Sequence, residues 1–179
     1  MKATAIILAG VFVVVGTLLT AYDWREVQPR LPGIRAAMET FPSEERNVPA
    51  NVAAFIWKLD ETQNAHIASQ VARVLLGEAP PMRAGAWHAH SFMWALLLPV
   101  HFDKQTRTAL YCHNIVYENG RGLSGAAAYY FHKSPHELST GEIAGILAID
   151  GSRSINSPTR HQDHYALASK RLLDAYATP

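Results

Sequence analysis

The sequence predicts a mostly α-helical protein: one globular domain behind an N-terminal apolar helix. Three observations carry this expectation. Apolar residues recur at three- and four-residue intervals from Asn51 onward, no stretch alternates apolar and polar as a half-buried strand does, and helix-start and helix-stop residues separate the periodic segments. The 179 residues, 49% of them apolar, suffice for one sizeable core and are too few for two. A formal charge of +1 with no cluster of lysine and arginine provides no basic field to draw nucleic acid. The single cysteine, Cys112, excludes an internal disulfide and a Cys-paired zinc site, and reads as a small buried apolar residue.

Residues Ala3 to Tyr22 carry no charge. About 20 residues at roughly 1.5 Å each span about 30 Å, the thickness of a bilayer core, so residues 1–22 are expected to form an uncleaved transmembrane signal anchor. A cleaved signal peptide is the rival, since Lys2 supplies a positive start, but Leu19-Thr20-Ala21 is a poor small-x-small cleavage site. Lys2 alone on one side, against Asp23, Arg25 and Glu26 of mixed sign on the other, places the N-terminus in the cytoplasm and the remainder in the periplasm, attached to the inner membrane by a single pass. Residues 23–47 contain Pro29, Pro32, Gly33 and Pro42 among charged residues and are expected to be a stalk. Arg35–Thr40 is long enough for one or two helical turns.

The globular domain is expected over 48–179. Val52, Phe55, Ile56 and Leu59 define one helix, and Ile67, Val71, Val74 and Leu75 a second, stopped by Gly77 and Pro80-Pro81. His88–Leu98 is apolar almost all round, a buried helix ended or kinked by Pro99 and too short for a second membrane span. Asp103–Tyr117 is a further helical segment, and Glu118–Gly122 a turn of residues that tolerate positive φ. Gly125 and Ala126–Ala128 let a helix approach a neighbour closely, while Tyr129, Tyr130 and Phe131 fill space at its end. Ser139 and Glu142 form a capping box for a helix that buries Ile143, Ile146 and Leu147. Gly151–Pro158 reads as a loop, and Gln162–Tyr176 as an amphipathic helix carrying Tyr165, Leu172 and Leu173.

The order of these pieces, with Gly120-Arg121-Gly122, Ala126–Lys133 and Leu138–Ala148 as its clearest segments, resembles the peptidoglycan glycosyltransferases of family 51. These are the polymerase domains of bifunctional penicillin-binding proteins and monofunctional transglycosylases. The likeness runs from about Val48 to Tyr176 and includes Ser157-Pro158, Leu172–Tyr176, the Lys104–Tyr117 segment and, upstream, His66–Leu76, where Gln70 and Arg73 match by type. It implies a lysozyme-like helical domain acting on a lipid-linked disaccharide precursor or a glycan strand, at a membrane, among cell-wall synthesis proteins.

In that family a glutamate takes the proton of the acceptor hydroxyl while basic residues and a divalent ion stabilise the departing pyrophosphate, a division of labour that needs a carboxylate against a hydroxyl and positive charge where phosphate charge develops. The resemblance therefore implies Glu61, with neighbouring Asp60, as the catalytic carboxylates, Arg73, Gln70 and Lys104 as substrate-binding residues, and Mg or Mn as the divalent cation of an active form. The sequence departs from the pattern in several places. No Glu-Asp-x-x-Phe is present, no acid lies between Trp87 and Phe92, and Arg171 directly precedes Leu172, out of register with the family's arginine. Degraded or lost catalysis is the expectation. The alternatives are a non-catalytic module that binds precursor or glycan or docks on a cell-wall synthase, and a metal-binding protein using His88, His90, His101 and His113.

Overall fold

The computed structural model describes residues 2–62, 66–77 and 82–178, so the stop expected at Pro80-Pro81 lies outside the described residues. The chain forms two compact units, Met1–Thr40 and Phe41–Pro179. In the first, α1 (Lys2–Tyr22) is one continuous helix, as the uncharged run dictates. A π-helical turn (Asp23–Val27) and a 3₁₀ turn (Gln28–Arg30) lead into α2 (Leu31–Glu39), which carries Pro32 in its first turn, where a missing N–H costs least. Val11, Phe12, Val13, Leu18 and Trp24 are exposed. Among the described residues no helix is long and apolar enough to cross a membrane, so the structure does not support the expected transmembrane helix.

The second unit contains α3 (Ser43–Arg46), α4 (Ala50–Thr62), α5 (His66–Gly77), α6 (Ala84–His101) and α7 (Lys104–Asn114). A two-residue hairpin follows, β1 (Val116–Tyr117) against β2 (Gly120–Arg121), antiparallel with Val116 opposite Arg121. Then come α8 (Leu123–Phe131), a 3₁₀ turn (Pro135–Glu137), α9 (Thr140–Gly151) and α10 (Gln162–Ala177). The mostly helical expectation holds. The hairpin was not foreseen because two residues per strand are too few to show alternation, and α6 runs three residues past Leu98 to His101, with Pro99 inside its last turn.

At the centre is α9, buried from Ile143 through Ile149. Its start is fixed as expected: the Ser139 N–H and hydroxyl both donate to Glu142 at 2.7 and 2.8 Å, and Lys133 pairs with the same carboxylate at 2.7 Å. Lys133 and the Ser139 N–H together hold the Glu142 carboxyl at about 2. Close approach falls at two glycines. A Cβ on Gly145 would strike the Tyr165 hydroxyl of α10, and one on Gly125 would lie 2.5 Å from the Tyr117 hydroxyl. Of the small residues on α8, Ala126 and Ala127 are fully buried and Ala128 is exposed.

Residues 41–47 belong to the second unit because Phe41 and Glu45 are buried in it. Glu45 is 2% exposed, and its carboxylate accepts from His113 Nδ1 at 2.7 Å and from the Ser124 N–H at 3.1 Å. Phe41 stacks on the His113 ring at 3.6 Å between centroids. Gly122, at φ 103°, passes so close to Glu45 that any Cβ there would collide with Oε1. A buried carboxylate is tolerable only when its oxygens are hydrogen-bonded, and this network ties α3 to α7 and α8.

Three outcomes follow from this packing. Ala126→Leu or Ala127→Leu overpacks the α8 contact and lowers stability by about 1 to 3 kcal/mol in thermal or denaturant melts, whereas Ala128→Leu is neutral. Glu45→Ala leaves the Ser124 N–H without its acceptor and costs about 2 to 3 kcal/mol in the same measurement. Because the folded carboxyl of Glu142 sits at about 2 against an ordinary 4.5, its stabilisation is fully present above pH 4.5 and drains away as pH falls towards 2. Acid titration of Glu142→Gln, followed by helical circular dichroism, is expected to lose that part of the pH dependence.

Candidate functional site

A concavity of the second unit opens between the C-terminal end of α9, the 151–161 loop and α10, with a volume of about 470 Å³. Leu59, Leu147, Leu167 and Leu172 line it with apolar surface, and Asn156, His164 and Arg171 are among its polar lining residues. His164 and Arg171 are seven residues apart on α10, two turns, and therefore share a face. The neighbouring Lys170 is the cation that pairs with Asp174, at 2.6 Å. Among the described residues no aspartate or glutamate lines the cavity.

Its wall is held by a relay of hydrogen bonds that begins at α9. Asp150 accepts the Val116 N–H at 2.9 Å and also bonds the Tyr111 hydroxyl, which fixes the hairpin against the end of the helix. Burial, first, and the Asp150 carboxylate raise the Tyr111 hydroxyl well above its ordinary range. From the hairpin turn Glu118 reaches the loop: Ser157 Oγ donates to it at 2.6 Å, Thr159 Oγ1 at 2.9 Å and Tyr129 Oη at 3.3 Å. The Ser157 bond is the main cause that keeps the Glu118 carboxyl ionised below the usual range. Asn156 donates from Nδ2 to the Ala148 carbonyl at 2.7 Å, closing the loop back on α9.

The residues singled out from sequence lie elsewhere. Asp60 accepts the Ile67 N–H at 2.9 Å, so its carboxylate supports the start of α5, where the first N–H groups have no helical partner. Glu61 is exposed and pairs with Lys104 at 3.3 Å, while Lys104 Nζ lies 4.9 Å from the centre of the Trp57 ring. Trp57 Nε1 in turn donates to Thr108 Oγ1 at 2.8 Å. The structure thus joins two of the expected site residues, Glu61 and Lys104, as an ion pair on the surface. Gln70 is half-buried and Arg73 exposed on α5. Neither lines the cavity.

A divalent cation needs several converging oxygen or nitrogen donors. Among the described residues no three His, Cys, Asp or Glu side chains converge to hold one, Asp60 is committed to α5 and Glu61 to Lys104, so the donor set does not fit a cation held by the protein. The histidine reading fares no better, since His113 is bound to Glu45. The neighbouring Asn114 donates to the Leu110 carbonyl of its own helix at 2.8 Å. His164 and Asn156 went unmarked in the sequence because a lone polar residue on an amphipathic helix or in a loop carries no spacing signal. The cavity that collects them exists only once α10 is folded over α9.

Comparison with known proteins agrees with this architecture. The sequence profile described as Transglycosylase matches residues 48–177, nearly all of the second unit. Penicillin-binding protein 4 of Bacillus subtilis (strain 168) is 33% identical over 73 residues, which is 40% of this chain and 12% of that protein, so the chain spans only a small part of that relative. With its profile covering most of the chain, the protein belongs to the transglycosylase family, glycosyltransferase family 51.

Proposed function

We propose that the second unit binds the lipid-linked disaccharide precursor of peptidoglycan, or a glycan strand made from it, and has lost most or all of the family's polymerising activity. One observation supports this above the rest: the cavity offers an apolar floor and the cation Arg171, with no carboxylate among the described residues that line it. An apolar surface with a cationic rim suits a ligand that combines a hydrocarbon part with phosphate. Proton abstraction from an acceptor hydroxyl needs a free base within hydrogen-bond reach, and Asp60 and Glu61 are both engaged away from this cavity. Recognition can outlive catalysis, because binding draws on groups other than the acid and base.

Localisation belongs to the same proposal. The uncharged run from Ala3 to Tyr22 and the exposed apolar side chains of α1 favour anchorage in the inner membrane, with the second unit in the periplasm. The alternative, a module that docks on a cell-wall synthase and touches no precursor, is favoured by the same lack of a free base.

The deciding experiment pairs a gel assay of glycan chain growth with a binding titration, both using the lipid-linked disaccharide. Chain growth is expected at least about 10²-fold below that of a complete family member, the scale of losing one positioned acid or base. Binding is expected to persist in the wild type and in Glu61→Gln, and to weaken about tenfold in Arg171→Gln, which removes one charge-assisted contact to phosphate. Robust growth abolished by Glu61→Gln overturns the loss of catalysis, and absence of binding favours the docking module. Fractionation tests the anchor: retention in the membrane pellet after a high-salt wash is expected, and a soluble form beginning near Asp23 contradicts it.

A further inference from the structure

The hairpin turn gathers a second set of groups, none of which lines the cavity. Tyr117, Tyr129 and Tyr130 form one ring cluster, with Tyr129 5.7 Å from Tyr117 and 4.8 Å from Tyr130 between ring centroids. Gly125 makes room for it, since a Cβ there would strike the Tyr117 ring. A single residue fixes the other two rings: the Glu118 N–H donates to Tyr130 Oη and Tyr129 Oη donates to the Glu118 carboxylate, both at 3.3 Å. Yet Tyr129 is 40% exposed, so the cluster ends in an aromatic ring offered to solvent. Two arginines of the 151–161 loop reach the same turn. Arg153 Nη1 donates to the Tyr117 carbonyl at 3.5 Å. Arg160 lies near enough to Glu118 to add, after the Ser157, Thr159 and Tyr129 bonds, to what lowers its carboxyl. Both arginines are exposed, and neither forms an ion pair among the described residues.

We infer that Tyr129, Arg153 and Arg160 form a carbohydrate site that takes the sugar end of the ligand whose hydrocarbon and phosphate the cavity holds. Its place in one ligand with the cavity rests on the function proposed above, while the site itself stands on its own groups. The two are continuous along the chain. Arg153 follows Ser152 directly and Ile155 lies two residues further on, and both of these line the cavity, so one loop is wall to the first site and edge to the second. A pyranose ring presents a face of slightly positive C–H groups, for which the negative face of an aromatic ring is the complement. Its hydroxyls remain in water at the rim, which an exposed tyrosine permits. Charge narrows the ligand class. At the turn two guanidinium groups stand against one carboxylate, Glu118, whose oxygens already accept from Ser157, Thr159 and Tyr129. A neutral sugar leaves both cations hydrated as before, whereas a sugar whose peptide substituent carries carboxylates gives each a charge-assisted partner.

The test titrates the full chain, in a mild detergent, with two probes: a peptidoglycan disaccharide carrying its peptide and no lipid, and a prenyl diphosphate carrying no sugar. The disaccharide-peptide is expected to bind the wild type and to weaken about tenfold in Tyr129→Ala and about tenfold in the double variant Arg153→Gln, Arg160→Gln. Tyr129→Phe keeps the ring and is expected to bind within about twofold of the wild type, which separates stacking from loss of the Glu118 bond. Prenyl diphosphate is expected to bind the wild type and each variant alike. Thermal melting close to that of the wild type shows that a variant's loss of binding reports the contact. No binding of the disaccharide-peptide, indifference to Tyr129→Ala, or equal loss in Tyr129→Phe and Tyr129→Ala overturns the sugar site. Indifference to the arginine variant overturns the carboxylate-bearing class of its ligand. Absence of prenyl diphosphate binding beside the expected disaccharide pattern overturns the reading of the cavity and leaves the sugar site standing.

Discussion

A helix with no polar face sets the terms for the second unit. From Ile143 to Ile149 every residue of α9 is buried, so the other elements must surround it on all sides and no single helix can supply enough cover. α10 closes one side where Gly145 admits the Tyr165 ring, and α4 and α8 cover others. The two ends of α9 must then satisfy their own polar groups without help from solvent-facing turns. Ser139 and Glu142 do so at the start, and near the other end Asp150 turns that obligation outward to the hairpin. From there the constraint passes through Glu118 to Ser157 and Thr159, and so to the loop that shapes the cavity. The cavity beside α10 is thus downstream of one buried helix, through ordinary hydrogen bonds.

The distribution of carboxylates separates architecture from chemistry. Glu45 is the only acid buried among the described residues, and its oxygens face His113 and the Ser124 N–H, with no opening to a substrate hydroxyl. Asp60 supports a helix start, Glu61 answers a lysine, Glu118 staples a loop and Glu142 caps α9. Each acid near the core has been given a holding task. Among the described residues, Glu45, Asp60, Glu118 and Glu142 each tie one stretch of the chain to another.

Much of the fold could be read along the chain where the cause is local. The capping box at Ser139, the helical spacing of α4 and α5 and the turn before Gly122 each depend on residues within a few positions of one another. Glu45 could not be read in this way, because its partners lie 68 and 79 positions further along the chain. The glycine at 122 was the visible trace of it, read as turn chemistry when it also makes room for a carboxylate. The hairpin escaped because strands of two residues have no period, and the full length of α6 because Pro99 forgoes only its own N–H bond while the chain beyond it stays helical, with the Phe102 N–H donating to the Leu98 carbonyl. At the site, Glu61, which resemblance implied as a catalytic carboxylate, and Lys104, which it implied as substrate-binding, pair with each other on the surface, a contact 43 positions apart that no local pattern announces. The cavity's cation came from α10, where resemblance had marked Arg171 only as displaced.

The stacking of Phe55 on Tyr176, with ring centroids 4.5 Å apart, has a temporal meaning. It joins the first long helix of the second unit to the last, across nearly the whole length of that unit. During synthesis α4 through α9 leave the ribosome with the slot for α10 vacant, and the apolar floor formed by Leu59 and Leu147 stays open to solvent until residues near 176 arrive. Contacts so distant in sequence are costly to close and are made late. The nascent chain therefore exposes, from the synthesis of Leu147 until that of Tyr176, the apolar surface that later floors the cavity, and open apolar surface of this kind favours aggregation in that interval.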